Sequence, residues 1–324
     1  MALTEKINVD LKEAMKAKDK VKLESLRAIK AALLMAATEK GASESSEELE
    51  LKMLQKLVKQ RKDAATIYTE QGRDDLAQPE LDQVAIIEKY LPEKMGDDEV
   101  KAILCARGGY GCVQIVDKIQ WANMLRNPKW IIGFSDVSVF HQKLWGMGLK
   151  SIHGTMPLNF SDNSVESLST LKSALTTNSY SIKSKQTKHD KAGSAKAILI
   201  GGNLSILYSL LGTDDHVDYN NSILFIEDLS EPIYHLDRML YALSKAGVLS
   251  RIKGLVVGGM TDMTDTAVPF GMVYEEVILS HFEYRNIPLC FNFPAGHIND
   301  NRAIIIGSEA ELNVSSTGSE LRFL

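Results

Sequence analysis

Along the first 96 residues, apolar side chains recur at helical intervals. Leu3, Ile7, Leu11 and Met15 fall on one face, with Thr4 placed to cap the first turn. Leu23, Leu26, Ile29, Leu33 and Leu34 form a second stripe ended by Gly41, and the polar run GASESSEE reads as a loop. A third stripe passes through Leu51, Leu54, Leu57 and Val58 toward Tyr68 and stops at Gly72. A shorter fourth helix carries Leu81, Val84, Ile87 and Leu91 before Pro92. This pattern predicts an all-α N-terminal domain over residues 1–96.

Beyond it the pattern changes. AILCA (102–106), WIIGF (130–134), AILIGG (197–202), SILFIED (222–228) and GLVVGG (254–259) are short, apolar and glycine-flanked, and read as buried strands. Helical stretches follow several of them, at 136–146, 203–211 and 234–246. That alternation predicts an α/β architecture with much parallel sheet. The last 40 or so residues, with PLCFNFP and AIIIG, read as more purely β.

Composition sharpens the division. The first 96 residues hold 17 Lys/Arg and 18 Asp/Glu, but only two of the 22 aromatics (Tyr68 and Tyr90) and none of the seven histidines. The net charge of −5 argues mildly against a nucleic-acid-binding protein, which usually carries a basic face. No apolar run approaches membrane-spanning length, and MALTEKINVDLKEAMKAKDK has no apolar core of a secretory signal. Cys105, Cys112 and Cys290 form no C-x-x-C pair, so a cytoplasmic location is expected and neither a disulfide framework nor a cysteine zinc site is.

Chemistry concentrates in the second part. Arg107-Gly108-Gly109-Tyr110-Gly111 follows the strand AILCA, and its glycines could turn backbone N–H groups toward a developing oxyanion, or simply make a tight strand-to-helix turn. Gly133-Phe134-Ser135-Asp136 lies between a strand and a helix. There Ser135 is either an exposed nucleophile or, with Asp136, a helix cap. Glu227 ends SILFI and reads as a buried acid or as a cap for the next helix. His297 follows FNFPA and reads as a base or a structural histidine. His141 and His235 read as helix-surface residues. No H-E-x-x-H pattern occurs, so neither metal nor cofactor is expected.

Six segments in order, ARGGYG, GFSDVS, HGTMP, IGGNLSILYSLLGT, IEDLSEPIYHLDRMLYAL and PAGHINDNRAIIIG, resemble the LD-carboxypeptidase family over residues 101–324. That family includes muramoyltetrapeptide carboxypeptidases and the enzymes that resist microcin C. The resemblance implies a serine peptidase with Ser135 as nucleophile, His297 as general base and Glu227 orienting it. Backbone N–H groups of Gly109 and Asp136 would form the oxyanion hole. It further implies cleavage of terminal D-alanine from murein tetrapeptides in cell-wall recycling, and a possible homodimer.

Residues 1 to about 100 resemble the YqeY family, whose relatives include the tail domain of the GatB amidotransferase subunit, through LKEAMKAKDK, LRAIKAA, KQRKDAATIYTEQGRDDLA and IIEKYLP. That segment stands where LD-carboxypeptidases carry their first strands and helices. The expected organisation is therefore a YqeY-like domain over 1–96, then a truncated flavodoxin/Rossmann-like nucleophile domain over 97–162. A β-rich domain over 163–324 would carry Glu227 and His297. Loss of strands would expose apolar surface and an unpaired sheet edge. The alternative is a tRNA- or amidotransferase-binding protein with an inactive hydrolase remnant, although Lys56, Lys59, Arg61 and Lys62 also read as an ordinary solvated helix face.

Overall fold

The computed structural model describes residues 3–38, 46–91, 99–177 and 179–324, which fall into two compact units, Met1–Gly96 and Asp97–Leu324. The expected Gly41 stop and most of the serine-rich loop lie outside the described residues. No helix among the described residues is long and apolar enough to cross a membrane.

The first unit contains helices α1 (Leu3–Ala17), α2 (Lys20–Thr38), α3 (Ser46–Glu70) and α4 (Asp74–Ile87). Their stripes meet in a core of Ile7, Ala14, Leu26, Ile29, Leu54, Val58, Val84 and Ile87. Gly72, at φ 69°, takes the left-handed conformation that ends α3. Thr4 lies within α1 instead of capping it, and Leu81 faces solvent while Val84 and Ile87 turn inward. Arg61 and Lys62 are paired with Glu80 and Glu88 at 2.9 and 2.8 Å.

The second unit is α/β. Its elements in order are β1 (Ala102–Leu104), α5 (Cys112–Ile115), α6 (Ala122–Arg126), β2 (Trp130–Gly133), α7 (Ser138–Gly146), β3 (Ser151–His153), α8 (Val165–Thr176) and β4 (Tyr180–Ser184). Then come β5 (Gly193–Asn203), α9 (Leu204–Ser209), β6 (Ser222–Leu229), α10 (Ile233–Lys245), α11 (Val248–Arg251), β7 (Gly254–Thr261) and α12 (Tyr274–Ser280). Four short strands close the chain: β8 (Leu289–Cys290), β9 (Ile304–Ile306), β10 (Glu309–Ser315) and β11 (Gly318–Phe323).

Two sheets result. One has the order β1-β2-β3-β9, with the first three strands parallel and β9 antiparallel to β3. The other has the order β4-β11-β10-β5-β6-β7-β8, with β5 to β8 parallel and the β4, β10 and β11 pairings antiparallel. β9 carries residues 304–306 into the sheet of β1–β3, so residues distant in sequence share one core. α10 buries Ile233, Leu236, Met239, Leu240 and Leu243 at intervals of three, three, one and three, in the cluster that also holds Leu224, Ile226 and Val257. Each such side chain contributes about 1.5–3 kcal/mol on full burial.

β1 departs from the expected buried strand. Ala102, Ile103 and Leu104 are all exposed, the last two at 42% and 36%. The reason is position: among the described residues β1 is the edge of its sheet and pairs only with β2. Apolar composition favours burial, but burial needs a neighbour on each face.

Candidate active site

The candidate nucleophile sits where β2 turns into α7. Gly133 closes the strand tightly, since a Cβ there would lie 2.9 Å from Val137 Cγ2. Phe134 is extended, and Ser135 then takes φ 64°, a left-handed conformation that costs a non-glycine residue about 1–2 kcal/mol. Such strain persists only where surrounding structure imposes it, and it commonly marks functional turns. The helix-cap alternative is not what forms, because neither this turn nor α7 has a side-chain cap. Instead the Asp136 carboxylate accepts from the Cys112 backbone N–H at 2.9 Å, tying the start of α5 to the serine turn.

The RGGYG turn lies directly against Ser135. A Cβ on Gly108 would come within 3.0 Å of Ser135 Cβ and 3.3 Å of its Oγ. Gly109 and Gly111 hold φ of 147° and 134°, open to glycine and strained for any other residue.

Glu227 is fully buried near the C-terminal end of β6, where ligand sites of parallel sheets collect. Its pairing with β7 slips between Ile226 and Asp228, a local bulge of the kind that re-aims a side chain. Glycines make room for it. A Cβ on Gly258 would lie 3.2 Å from Glu227 Cβ, and one on Gly296 would lie 2.7 Å from Cβ and 2.8 Å from Oε2.

Gly296 bridges to Gly259 of β7 and places His297 beside the acid. His297 Nδ1 lies 2.6 Å from Glu227 Oε2, and its backbone N–H donates to the same oxygen at 3.2 Å. Thr261 Oγ1 donates to the His297 carbonyl at 2.6 Å. The ring meets Phe134, Ser135's neighbour, edge-on at 4.9 Å between centroids. Glu227 and His297 thus meet from distant segments, and Phe134 brings the serine turn against His297. Among the described residues no hydrogen bond joins Ser135 to His297; Phe134 supplies the contact.

Electrostatics in the cluster are coupled. Burial alone would lower the His297 imidazole, but the hydrogen bond and charge of Glu227, aided by Asp228, raise it above the usual range. Burial would likewise raise Glu227, yet the imidazoles of His153 and His297 hold it well below the ordinary carboxylate range. Asp228 is pushed up to about 6, chiefly by burial. It accepts from Asn203 Nδ2 and the Ser205 and Leu229 amides.

Several supporting residues were not legible in the motifs. Ser138 Oγ accepts from the Asn203 amide at 2.9 Å, and Gln142 Nε2 donates to the Gly201 carbonyl at 2.9 Å, joining α7 to the end of β5. His141, expected on a helix surface, is buried. Its Nε2 donates to the Gly133 carbonyl at 2.9 Å and its Nδ1 accepts from Ser151 Oγ at 2.8 Å, because α7 turns that face onto β2 and β3. Burial drives its imidazole down to about 3. His235 is partly exposed and paired with Glu231.

Known proteins share this arrangement of segments. Residues 196–312 match the model of the LD-carboxypeptidase C-terminal domain. A probable murein peptide carboxypeptidase of Bacillus subtilis is 31% identical over 233 residues, covering 69% of this chain and 72% of that protein. The chain belongs to the LD-carboxypeptidase family. A murein tetrapeptide carboxypeptidase of Pseudomonas aeruginosa is 30% identical over 237 residues, covering 69% of this LD-carboxypeptidase chain and 75% of the relative. The crystal structure of a muramoyltetrapeptide carboxypeptidase from Oxalobacter formigenes superimposes with a TM-score of 0.64 at 28% identity, covering 69% of this chain and 79% of that one. Residues 4–107 match the model of Yqey-like proteins, a stretch that runs past the first unit through β1. The matched LD-carboxypeptidase model contains Glu227 and His297, while Ser135 lies ahead of it.

Proposed function

We propose that this protein is a serine carboxypeptidase that removes terminal D-alanine from murein tetrapeptides, with Ser135, His297 and Glu227 as its triad. The observation that carries the reading is the 2.6 Å contact between Glu227 and His297, set against the ring of the residue preceding a strained serine. With Nδ1 engaged by the carboxylate, Nε2 of His297 is the nitrogen left to take the Ser135 proton. Ser135 Oγ then attacks the scissile carbonyl, and N–H groups of Gly109 and Asp136 receive the oxyanion. Collapse expels D-alanine, protonated by His297. Water activated by the same imidazole hydrolyses the acyl-enzyme and frees the serine.

Support for the substrate class comes from relatives named as murein peptide and murein tetrapeptide carboxypeptidases. In this reading the nucleophile comes from residues 97–162, the acid and base come from 163–324, and murein fragments are processed in the cytoplasm. The test is D-alanine release from a murein tetrapeptide, beside Ser135→Ala and with a metal chelator. Release that survives chelation and disappears in the variant supports the triad. Absence of release from cooperatively folded wild-type protein overturns the activity.

The Yqey-like match supports a second reading, in which residues 1–96 bind tRNA or an amidotransferase. Salt-sensitive tRNA binding by the full chain would favour it.

A further inference from the structure

His153 is a buried histidine that the triad does not use. It ends β3, opposite Gly133 of β2 in the parallel ladder and Ile304 of β9, two residues from the register of Ser135. Its ring is 0% exposed and walled by Phe225, Phe134 and His141, with centroids at 4.9, 6.0 and 6.0 Å. Among the described residues neither ring nitrogen has a hydrogen-bond partner, and neither does Oε1 of Glu227. These orphan groups face each other: His153 Nε2 lies 3.8 Å from Glu227 Oε1.

An unpartnered buried carboxylate oxygen beside an unpartnered imidazole is an expensive pair to leave apart. The gap exceeds a hydrogen bond, but a small rotation of either side chain closes it. Resting on the triad reading above, we propose that His153 is a positioning residue whose Nε2–H donates to Glu227 Oε1, so that the carboxylate is clamped between two imidazoles. One oxygen then serves His297 and the other His153. This fixes the carboxylate plane and couples β3, which pairs with the strand leading to Ser135, to β6, which bears Glu227. The depressed carboxyl of Glu227 agrees with two donors acting together against burial.

The titratable groups around Glu227 are His297 after β8, His153 on β3, Asp228 on β6 and, behind His153, His141 on α7. Losing the His153 donor destabilises the state with Glu227 ionised and His297 neutral. The Glu227–His297 pair therefore holds its proton more tightly, wherever on the pair that proton sits.

The experiment is a nitrogen-15 NMR titration of the histidine rings in wild type, His153→Phe and His153→Gln, alongside the pH profile of D-alanine release. Wild type should show His153 protonated at Nε2. His153→Phe should raise the apparent pKa of the His297 signal by about one unit, a tenfold gain in proton affinity, and lower kcat with little change in KM. His153→Gln, which keeps an N–H donor, should return both toward wild type. An unprotonated Nε2 in wild type overturns the proposal without reference to any variant. So does an unchanged His297 titration in folded His153→Phe. The NMR readings stand even if no peptide is hydrolysed, in which case the functional reading fails and the clamp is still decided.

Discussion

Glu227 Oε2 lies 2.6 Å from Nδ1 of His297 and 3.2 Å from that residue's backbone nitrogen, so one oxygen fixes both the ring and the main chain of the base. Aiming a buried carboxylate this way leaves the imidazole few alternative orientations. It also raises the affinity of His297 for a proton, which the proposed mechanism requires the residue to lack at rest.

A pH dependence follows. His297 must be neutral to accept the Ser135 proton, and its pKa is raised above the ordinary value of about 6.5. Activity should be complete at high pH and fall as pH drops through a midpoint above about 6.5. Glu227→Gln removes the charge that raises His297, so its acid limb should move to lower pH while kcat falls by about 10,000-fold. Rate profiles of the two proteins check both statements; an acid limb at the same pH in each would sever the pKa from this contact.

The left-handed Ser135 should make activity and stability trade against each other. Ser135→Ala and Ser135→Gly both remove the hydroxyl and should abolish D-alanine release. Only glycine relieves the backbone at φ 64°, so Ser135→Gly should be more stable than Ser135→Ala by about 1 kcal/mol in urea unfolding. Equal stabilities would mean the turn is not strained.

Asp136 should matter through its tie to the RGGYG turn. Asp136→Ala frees the Cys112 amide and lets the glycine turn drift from Ser135. The expected result is a loss of kcat of roughly 10- to 100-fold, with KM nearly unchanged, because oxyanion donors act mainly in the transition state. A rise in KM alone would place the tie in substrate binding instead.

The sequence made some of these relationships legible and hid others. SILFIED and GLVVGG announce strands because an unbroken apolar run has few alternatives, and both form as β6 and β7. Ser135 and Glu227 stand at or just past strand ends and His297 in the loop after β8, each flanked by motif residues, so their candidacy could be read locally. His153 opens the segment HGTMP, yet its role could not be read there, because β3 is only three residues long and its ring's neighbours lie on β6 and α7. His141 reads as a surface residue for the same reason: helical spacing reveals a face, and only the tertiary fold says what covers it. β1 shows the converse error, where AILCA is apolar enough for a core and, among the described residues, has no second strand beside it.

Gly296 gives the sharpest test of the packing around the acid. Its φ of 104° already disfavours any side chain, and a Cβ would sit 2.7 Å from Glu227 Cβ and 2.8 Å from Oε2. Glu227 cannot yield easily, since it is fully buried and its Oε2 is held by the ring and backbone N–H of His297. Gly296→Ala should therefore cost about 1–3 kcal/mol of stability through backbone strain. It should also push the carboxylate off His297, and a displacement near 1 Å can cost about 100-fold in rate. Shortening Glu227 removes neither the strain at φ 104° nor the 2.7 Å approach to its Cβ, so Gly296→Ala with Glu227→Asp should recover little stability while kcat stays low. Urea unfolding and D-alanine release on the single and double variants decide it. A Gly296→Ala protein with wild-type rate would show that the glycine serves the loop alone and that Glu227 does not depend on it.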